Sequence, residues 1–343
     1  MDRREFLKCS LMLGVWGTAA GLFPAFAGTK STGKIETESD MMKKAIETVF
    51  STSMEDYAAR QDAMKVIEAA NWHCTPDVFK QYYTAGLTLS PAEVRSWGRR
   101  EPIFRFYEAA WDKICKEVKS ARPSGDTVIL WLVYNMGYII KTAQTCFAID
   151  LQHRRSEELI EKLDFLLVTH NHDDHYTSRL LKSFRDTKRP VVSNFFPAPG
   201  YNAVDKTLEI GPARIHLRRT DHNPTLKKFV MTYEIELSLR SGKFVIFHSG
   251  DSCDPKQFRM HNPRTDVYMV HPRVGLNVTE AQKIIDPELT LISHLHEMHH
   301  RFDQWRWPYA VGFDEIEKGR ACGRHCAMPL WGEKIVLKPS GLR

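Results

Sequence analysis

Within six residues the chain reads His170-Asn171-His172-Asp173-Asp174-His175, three imidazoles and two carboxylates directly behind the apolar run DFLLV at 164–168. Such a cluster at a strand end is costly to desolvate unless a cation binds it. In an extended or looped segment, positions i and i+2 face the same side, so His170 and His172 can grip one ion together. Asp174 and His175 then fall near a second position. Two divalent cations held close together share a water whose pKa falls toward neutrality, which provides hydroxide for a hydrolytic attack. Twelve of the fifteen histidines lie between His170 and His300, so the candidate chemistry is concentrated in one part of the chain.

Three further ligand-type residues stand at or just behind the ends of expected strands. His222 follows ARIHLRR, Asp251 lies in HSGDS behind KFVIF, and His294 ends LTLIS. An HxHxDH run followed in this order by a His, a Gly-Asp and a last His resembles the signature of the metallo-β-lactamase superfamily, over residues 126 to about 300. HSGD followed by DVYMVHP and a helical pattern is similar to the branch that contains lactonases and phospholipase-type phosphodiesterases.

The resemblance implies an α/β fold, a four-layer αβ/βα sandwich of two mixed sheets with helices outside. It implies that His170, His172 and His222 hold one ion, that Asp174, His175 and His294 hold the other, and that Asp251 bridges them. Asp174 and Asp251 would be the catalytic carboxylates, with Asp174 orienting the hydroxide. Zn2+ is the default ion for imidazole and carboxylate ligands without thiolate, with Mn2+ or Fe2+ as the other candidates. The redox di-iron members usually carry Glu where His172 stands. The substrate expected is a small molecule with an ester-type bond, phosphodiester, lactone or related.

The chain departs from the pattern in three places. Asp150-Leu151 stands where Asp-Pro is common, either His294 or His296 can serve as the last ligand, and nearly a hundred residues precede the matching part. His294 is favoured because it directly ends the apolar run.

A competing motif overlaps the last ligand. His296-Glu297-Met298-His299-His300 matches HExxH, in which two His one helical turn apart bind zinc and Glu activates water, the pattern of a zinc metalloprotease. That motif needs a helix, and here it begins two residues after an expected strand end. An exported protein that merely stores or senses zinc is the non-catalytic reading, for which neither a bridging Asp nor an open coordination position is required. His248 and His271 sit at strand ends beside the site, as supporting groups, general acids or satisfied core residues. Arg218, Arg219, Lys227 and Lys228 flank His222 and suit either phosphate recognition or a solvated loop, whereas Cys253 and Asp254 read as turn residues.

These residues need a scaffold, and the composition permits one. Of 343 residues, 43% are hydrophobic and 26% charged, which excludes a disordered or fibrous chain. The formal charge of +6 is mild and spread out, which suits an anionic substrate and gives no reason to expect specific nucleic-acid binding. Seven Cys are too few for a disulfide scaffold.

Residues 1–27 read as an export signal: a basic start, an uncharged stretch from Cys9 to Thr29 and the small-x-small site Ala25-Phe26-Ala27. Arg3-Arg4-Glu5-Phe6-Leu7-Lys8 resembles the twin-arginine signal, which implies the twin-arginine export machinery as partner and a periplasmic or extracellular location. Whether Cys322 and Cys326 bridge there is open.

Residues 28–125 are expected to form a polar linker and a helical accessory segment. Ser90-Pro91-Ala92-Glu93 is a capping box, and Ile103, Phe106, Ala110, Trp111, Ile114, Cys115 and Val118 form a 3.6-residue stripe. From Pro123 the period changes to short β-branched runs, and residues 126–343 are expected to form the hydrolase domain. Strands are expected at TVILWLVY, GYIIK, CFAID, DFLLV, PVVSN, ARIHLRR, FVMTYEIELSL, KFVIFHSG, DVYMV and LTLISH, with helices at 156–162 and TEAQKII.

Overall fold

Each of the first helices opens on a start signal that the sequence carries. In the computed structural model, which describes residues 37–197, 204–301 and 304–339, α1 (Glu38–Ser51) begins with a Thr37/Asp40 capping box. Asp56 caps α2 (Tyr57–His73), Thr75 with Pro76 behind it caps α3 (Pro76–Thr84), and the expected Ser90/Glu93 box caps α4 (Pro91–Arg100). The stripe of α5 (Ile103–Ser120) is buried from Ile103 to Val118. The export signal and the first residues of the linker lie outside the described residues.

Thirteen strands follow among the described residues. The first five are β1 (Val128–Tyr134), β2 (Gly137–Lys141), β3 (Cys146–Ile149), β4 (Phe165–Leu167) and β5 (Val191–Val192). A 3₁₀ helix at Ser156–Lys162 and α6 (Ser178–Asp186) link the last three. Next come β6 (Lys206–Ile210), β7 (Ala213–Thr220), β8 (Val230–Leu239), β9 (Gly242–His248) and β10 (Thr265–Val270). The chain ends with α7 (Val278–Ile285), β11 (Pro287–Ile292), α8 (Tyr309–Ala321), β12 (Cys326–Ala327) and β13 (Lys334–Leu337). The helix expected at 156–162 is thus a 3₁₀ helix, in which Arg155 Nε donates to Glu158 Oε1 at 2.8 Å across the three-residue spacing that this tighter helix brings into line.

Two mixed sheets result, ordered β13-β1-β2-β3-β4-β5 and β12-β11-β10-β9-β8-β7-β6. Each is antiparallel in one part and parallel in the other: β3, β4 and β5 run parallel, as do β9, β10, β11 and β12. Helices α5 and α6 pack on the first sheet, α7 and α8 on the second. This is the four-layer αβ/βα sandwich expected. β1 is buried at all seven positions, as a strand covered on both faces must be. The late strand β13 returns to pair with β1, Ile129 opposite Val336, which closes the first sheet with residues from the far end of the chain.

The helical segment shares this core. Trp111 and Tyr107 stack on His153 with ring centroids 4.4 and 4.1 Å away. Glu108 accepts from Arg154 Nε at 2.5 Å, from the Tyr82 hydroxyl at 2.7 Å and from Arg155 at 3.0 Å. Arg154 is only 2% exposed. Its guanidinium has no water to fall back on, so removal of the Glu108 carboxylate strands a buried charge. Glu108→Ala is expected to lower the unfolding free energy by about 3–5 kcal/mol, read as a shift of the urea midpoint; a wild-type midpoint would show that the helical layer is not welded to the sheets.

Candidate metal centre

The ligand-type residues leave the carboxyl ends of strands at a single edge of the sandwich. Asp150 follows β3, His170 to His175 follow β4, His222 follows β7, Asp251 follows β9, His271 follows β10 and His294 follows β11. The crevice beyond the strand ends is where the loops of such sheets meet. His170, His172 and His222 present nitrogens within 4.8 Å of one another, as do the ligand atoms of Asp174, His175 and His294. Asp251 lies between the two groups. Its Oδ2 is 3.9 Å from His170 Nε2, 3.7 Å from His222 Nε2 and 3.6 Å from His294 Nε2, and its Oδ1 is 3.4 Å from His175 Nε2. Phe229 packs against the rings of His170, His172 and His222 and walls that side with an apolar face.

Local backbone geometry makes the approach possible. Gly250 has φ +49°, and a Cβ there would stand 2.9 Å from the Thr169 Cβ, so only glycine brings the Asp251 loop this close to the β4 loop. Asn135, at the turn between β1 and β2, ties two ligands together. Its Nδ2 donates to Asp174 Oδ2 at 2.8 Å, and its carbonyl accepts the His294 amide at 3.1 Å. His294 itself sits at φ +59°, a left-handed turn that swings the ring from the end of β11 into the crevice.

Asp150 sets the proton positions. Its Oδ1 accepts the Thr169 amide at 2.7 Å, and its Oδ2 accepts the Thr169 hydroxyl at 2.7 Å and His175 Nδ1 at 2.8 Å. His175 therefore carries a proton on Nδ1 and turns Nε2 to the centre. The Thr169 oxygen, its proton given to Asp150, accepts from His170 Nδ1 at 2.9 Å and sets that ring the same way. His222 Nδ1 faces the side-chain nitrogen of Asn223 at 3.2 Å, while Asn223 Oδ1 accepts the Thr225 and Leu226 amides, each at 2.9 Å, and the Thr225 hydroxyl at 2.7 Å.

The chemistry of this set fits a cation. His175 Nε2, Asp251 Oδ1 and both ring nitrogens of His294 are buried without a hydrogen-bond partner. Burial disfavours charge on Asp251 and Asp174, yet the surrounding histidines, His175 foremost, hold both carboxyls well below the usual carboxylate range. Burial also opposes a charge on His175, but Asp174, Asp251 and Asp150 outweigh it and hold that imidazole well above its ordinary value. Burial, reinforced by His175, pushes His170 far down. Buried carboxylates thus draw positive charge to a point where orphaned lone pairs converge.

The competing motif does not assemble. Residues 293–301 contain no helix. The His296 ring turns away from the centre, its Nε2 accepting the Tyr309 amide at 3.2 Å with Glu68 3.3 Å away, so His294 is the histidine that joins the cluster. Glu297 is fully buried and accepts from the His299 amide at 2.6 Å and from His300 Nδ1 at 3.0 Å. Although burial works against it, the Glu297 carboxylate raises the His300 pKa to about 9, which keeps the ring cationic at neutral pH.

Other candidates resolve locally. Buried His248 donates from Nε2 to the Met136 carbonyl at 3.0 Å and is a satisfied core residue. Arg218 donates to the Gln257 carbonyl, Arg219 pairs with Asp205, and Lys227 and Lys228 are exposed. Asp254 caps a 3₁₀ turn, and Cys322 and Cys326 are both free thiols. Sequence reasoning left Asn135, Asp150 and Thr169 without roles. The signal for Asp150 was an acidic residue directly ending an apolar run, and for Asn135 an Asn-Met-Gly turn between two strands.

No protein-family model matches the chain, and no curated protein sequence matches it. Solved structures with a similar fold include a possible metal-dependent hydrolase from Veillonella parvula, at 14% identity and TM-score 0.48 over 62% of this chain and 100% of that one. Igni18, a metallo hydrolase from Ignicoccus hospitalis, aligns at 17% identity and TM-score 0.45 over 62% of this chain and 99% of its own. CmlA, a diiron β-hydroxylase from Streptomyces venezuelae, aligns at 14% identity and TM-score 0.47 over 73% of this chain and 60% of its own.

The role of Asp150 can be measured directly. Asp150→Asn keeps the shape but offers an amide where two acceptor bonds from Thr169 and His175 are needed. Zinc affinity is expected to fall about 10–100-fold with the fold retained, as read by competition with a chromogenic chelator. Unchanged affinity would mean that Asp150 does not orient the ligands.

Proposed function

We propose that the chain is an exported metal-dependent hydrolase that holds two divalent cations, with zinc the default ion, and cleaves an ester-type bond of a small, anionic molecule. The observation that carries this reading is the convergence of seven ligand-type side chains on one crevice with buried lone pairs that no protein group satisfies. His170, His172 and His222 would hold one ion, Asp174, His175 and His294 the other, and Asp251 would reach both. When bound, such ions supply Lewis acidity and lower the pKa of water at neutral pH.

The chain's own residues do the rest. Asp150 and Thr169 fix which ring nitrogens of His170 and His175 stay unprotonated. Asn135 donates to Asp174 Oδ2, the oxygen that also lies 3.2 Å from His294, and so fixes the carboxylate that would direct a proton or a water at the substrate. Asp251, reached from both sets of histidines, sets their spacing and balances their charge. The buried setting strengthens each of these electrostatic contacts. Export by the twin-arginine route and a periplasmic or extracellular site of action belong to the same proposal and rest on Arg3 to Lys8 and the stretch behind them.

Elemental analysis of the purified mature chain is expected to find about two zinc-class ions per chain, and EDTA should remove both the ions and any hydrolysis of bis(p-nitrophenyl) phosphate, lactone or β-lactam substrates. Asp251→Ala should lower the stoichiometry. Asp174→Ala should abolish most turnover in a folded protein. One ion per chain, unchanged in Asp251→Ala, would remove the paired-ion reading.

Glu297 separates this reading from the protease one. Glu297→Gln is expected to keep its zinc and most of its turnover, because Glu297 braces a loop. Loss of a general base would instead slow the reaction about 10²–10⁴-fold, so a metal-replete but inactive Glu297→Gln chain would move the chemistry to HEMHH.

A further inference from the structure

Three histidines of this chain share one local turn. In each, Nδ1 accepts a backbone N–H two residues on: His153 from Arg155, His248 from Gly250 and His271 from Arg273, all at 3.1 Å. A neutral imidazole whose Nδ1 accepts in this way carries its proton on Nε2. His248 shows the outcome, since its Nε2 lies 3.0 Å from the Met136 carbonyl, which can only accept.

His271 is set identically but at the edge of the candidate centre. Its ring is buried, 4% exposed, and stacks on His294 with centroids 3.8 Å apart and planes 15° off parallel. It offers a nitrogen within 4.8 Å of Asp251 and His294, so by proximity alone it looks like an eighth ligand. The proton says otherwise. Ligation through Nε2 would require that nitrogen to give up its proton while Nδ1 still accepts from Arg273, leaving an imidazolate. The Arg273 N–H belongs to the backbone and cannot turn away to relieve this.

We infer that His271 is not a metal ligand but a catalytic hydrogen-bond donor, whose Nε2–H binds the carbonyl or phosphoryl oxygen of the substrate that gains negative charge during hydrolysis. This rests on the metal-hydrolase reading. No proton is transferred in this role; the bond strengthens as charge builds on the oxygen. The Arg273 amide and the His294 stack hold the donor still, so little reorganisation is needed as that charge appears.

The test uses the full mature chain, His271→Phe, which keeps the stacked ring without a donor, and His271→Gln, which restores a side-chain N–H. Circular dichroism checks that both fold. Zinc per chain and zinc affinity are expected to match wild type in both variants, and ring-nitrogen NMR of the wild type should find His271 protonated on Nε2. On whichever ester of the panel the wild type hydrolyses, kcat of His271→Phe should fall about 10²–10³-fold with KM little changed, and His271→Gln should recover part of it. Loss of a zinc ion in His271→Phe, or an Nδ1–H ring, would make His271 a ligand and overturn the inference. A wild-type kcat in His271→Phe would overturn it as well. A wild-type chain that takes up no zinc would instead overturn the hydrolase reading, and this role with it.

Discussion

Asp251 is the residue on which the arrangement turns. One buried carboxylate lies within 4 Å of four imidazoles that arrive from three other loops. Histidines packed that closely repel when charged and lose hydration when neutral, so they stay together only where negative charge is concentrated between them. Asp174 provides the second share of that charge, 3.2 Å from His294 and 3.6 Å from His175. Much of the surrounding structure serves to keep these two carboxylates buried and ionised: Gly250 lets the Asp251 loop descend, and Asn135 donates to Asp174 Oδ2.

The helical layer belongs to the same constraint. The loop behind β11 has no regular structure of its own, yet it must hold the His294 ring 3.2 Å from Asp174. Arg306 fixes it by donating to the Asn71 carbonyl at 2.6 Å and the Cys74 carbonyl at 2.8 Å, at the end of α2, while its other nitrogens reach the Met298 and His300 carbonyls. Asn71 Nδ2 closes the circuit by donating to the His296 carbonyl at 2.6 Å. A loop this rich in buried backbone groups would be unstable without such partners. The segment that precedes the sheets therefore positions the loop that carries His294, with the His296 ring turned into the helices and the His294 ring turned to the centre.

The ligand-type residues are legible in the sequence because their signal is local. His170, His222, Asp251 and His294 each stand one to three residues behind a strand-like run, and a sandwich brings such strand ends to one edge, so the sequence alone points to them. What stayed hidden depends on long-range geometry. Strands β12 and β13 are two and four residues long and are defined by their partners β11 and β1 rather than by any pattern of their own. Asn135 reads as an ordinary turn residue until a loop 39 residues away places Asp174 against it. The HEMHH match failed for the reverse reason: a helical spacing was present in a segment whose neighbours, Asn71, Glu68 and Tyr309, pull it into an irregular path.

This dependence on distant parts bears on how the ions would be acquired. The first triad needs loops behind β4 and β7, the second needs loops behind β4 and β11, and the last of these is held by α2, so the two triads do not exist together before most of the chain has folded. Ligand binding of this kind is linked to folding, because an unfolded chain offers no preformed site. An imidazole-rich set also selects poorly among late first-row cations, and selection passes to whichever ion is available where folding occurs. If residues 1–27 act as the proposed twin-arginine signal, the chain crosses the membrane already folded, and the identity of its ions is decided by the cytoplasm rather than by the compartment in which the enzyme works.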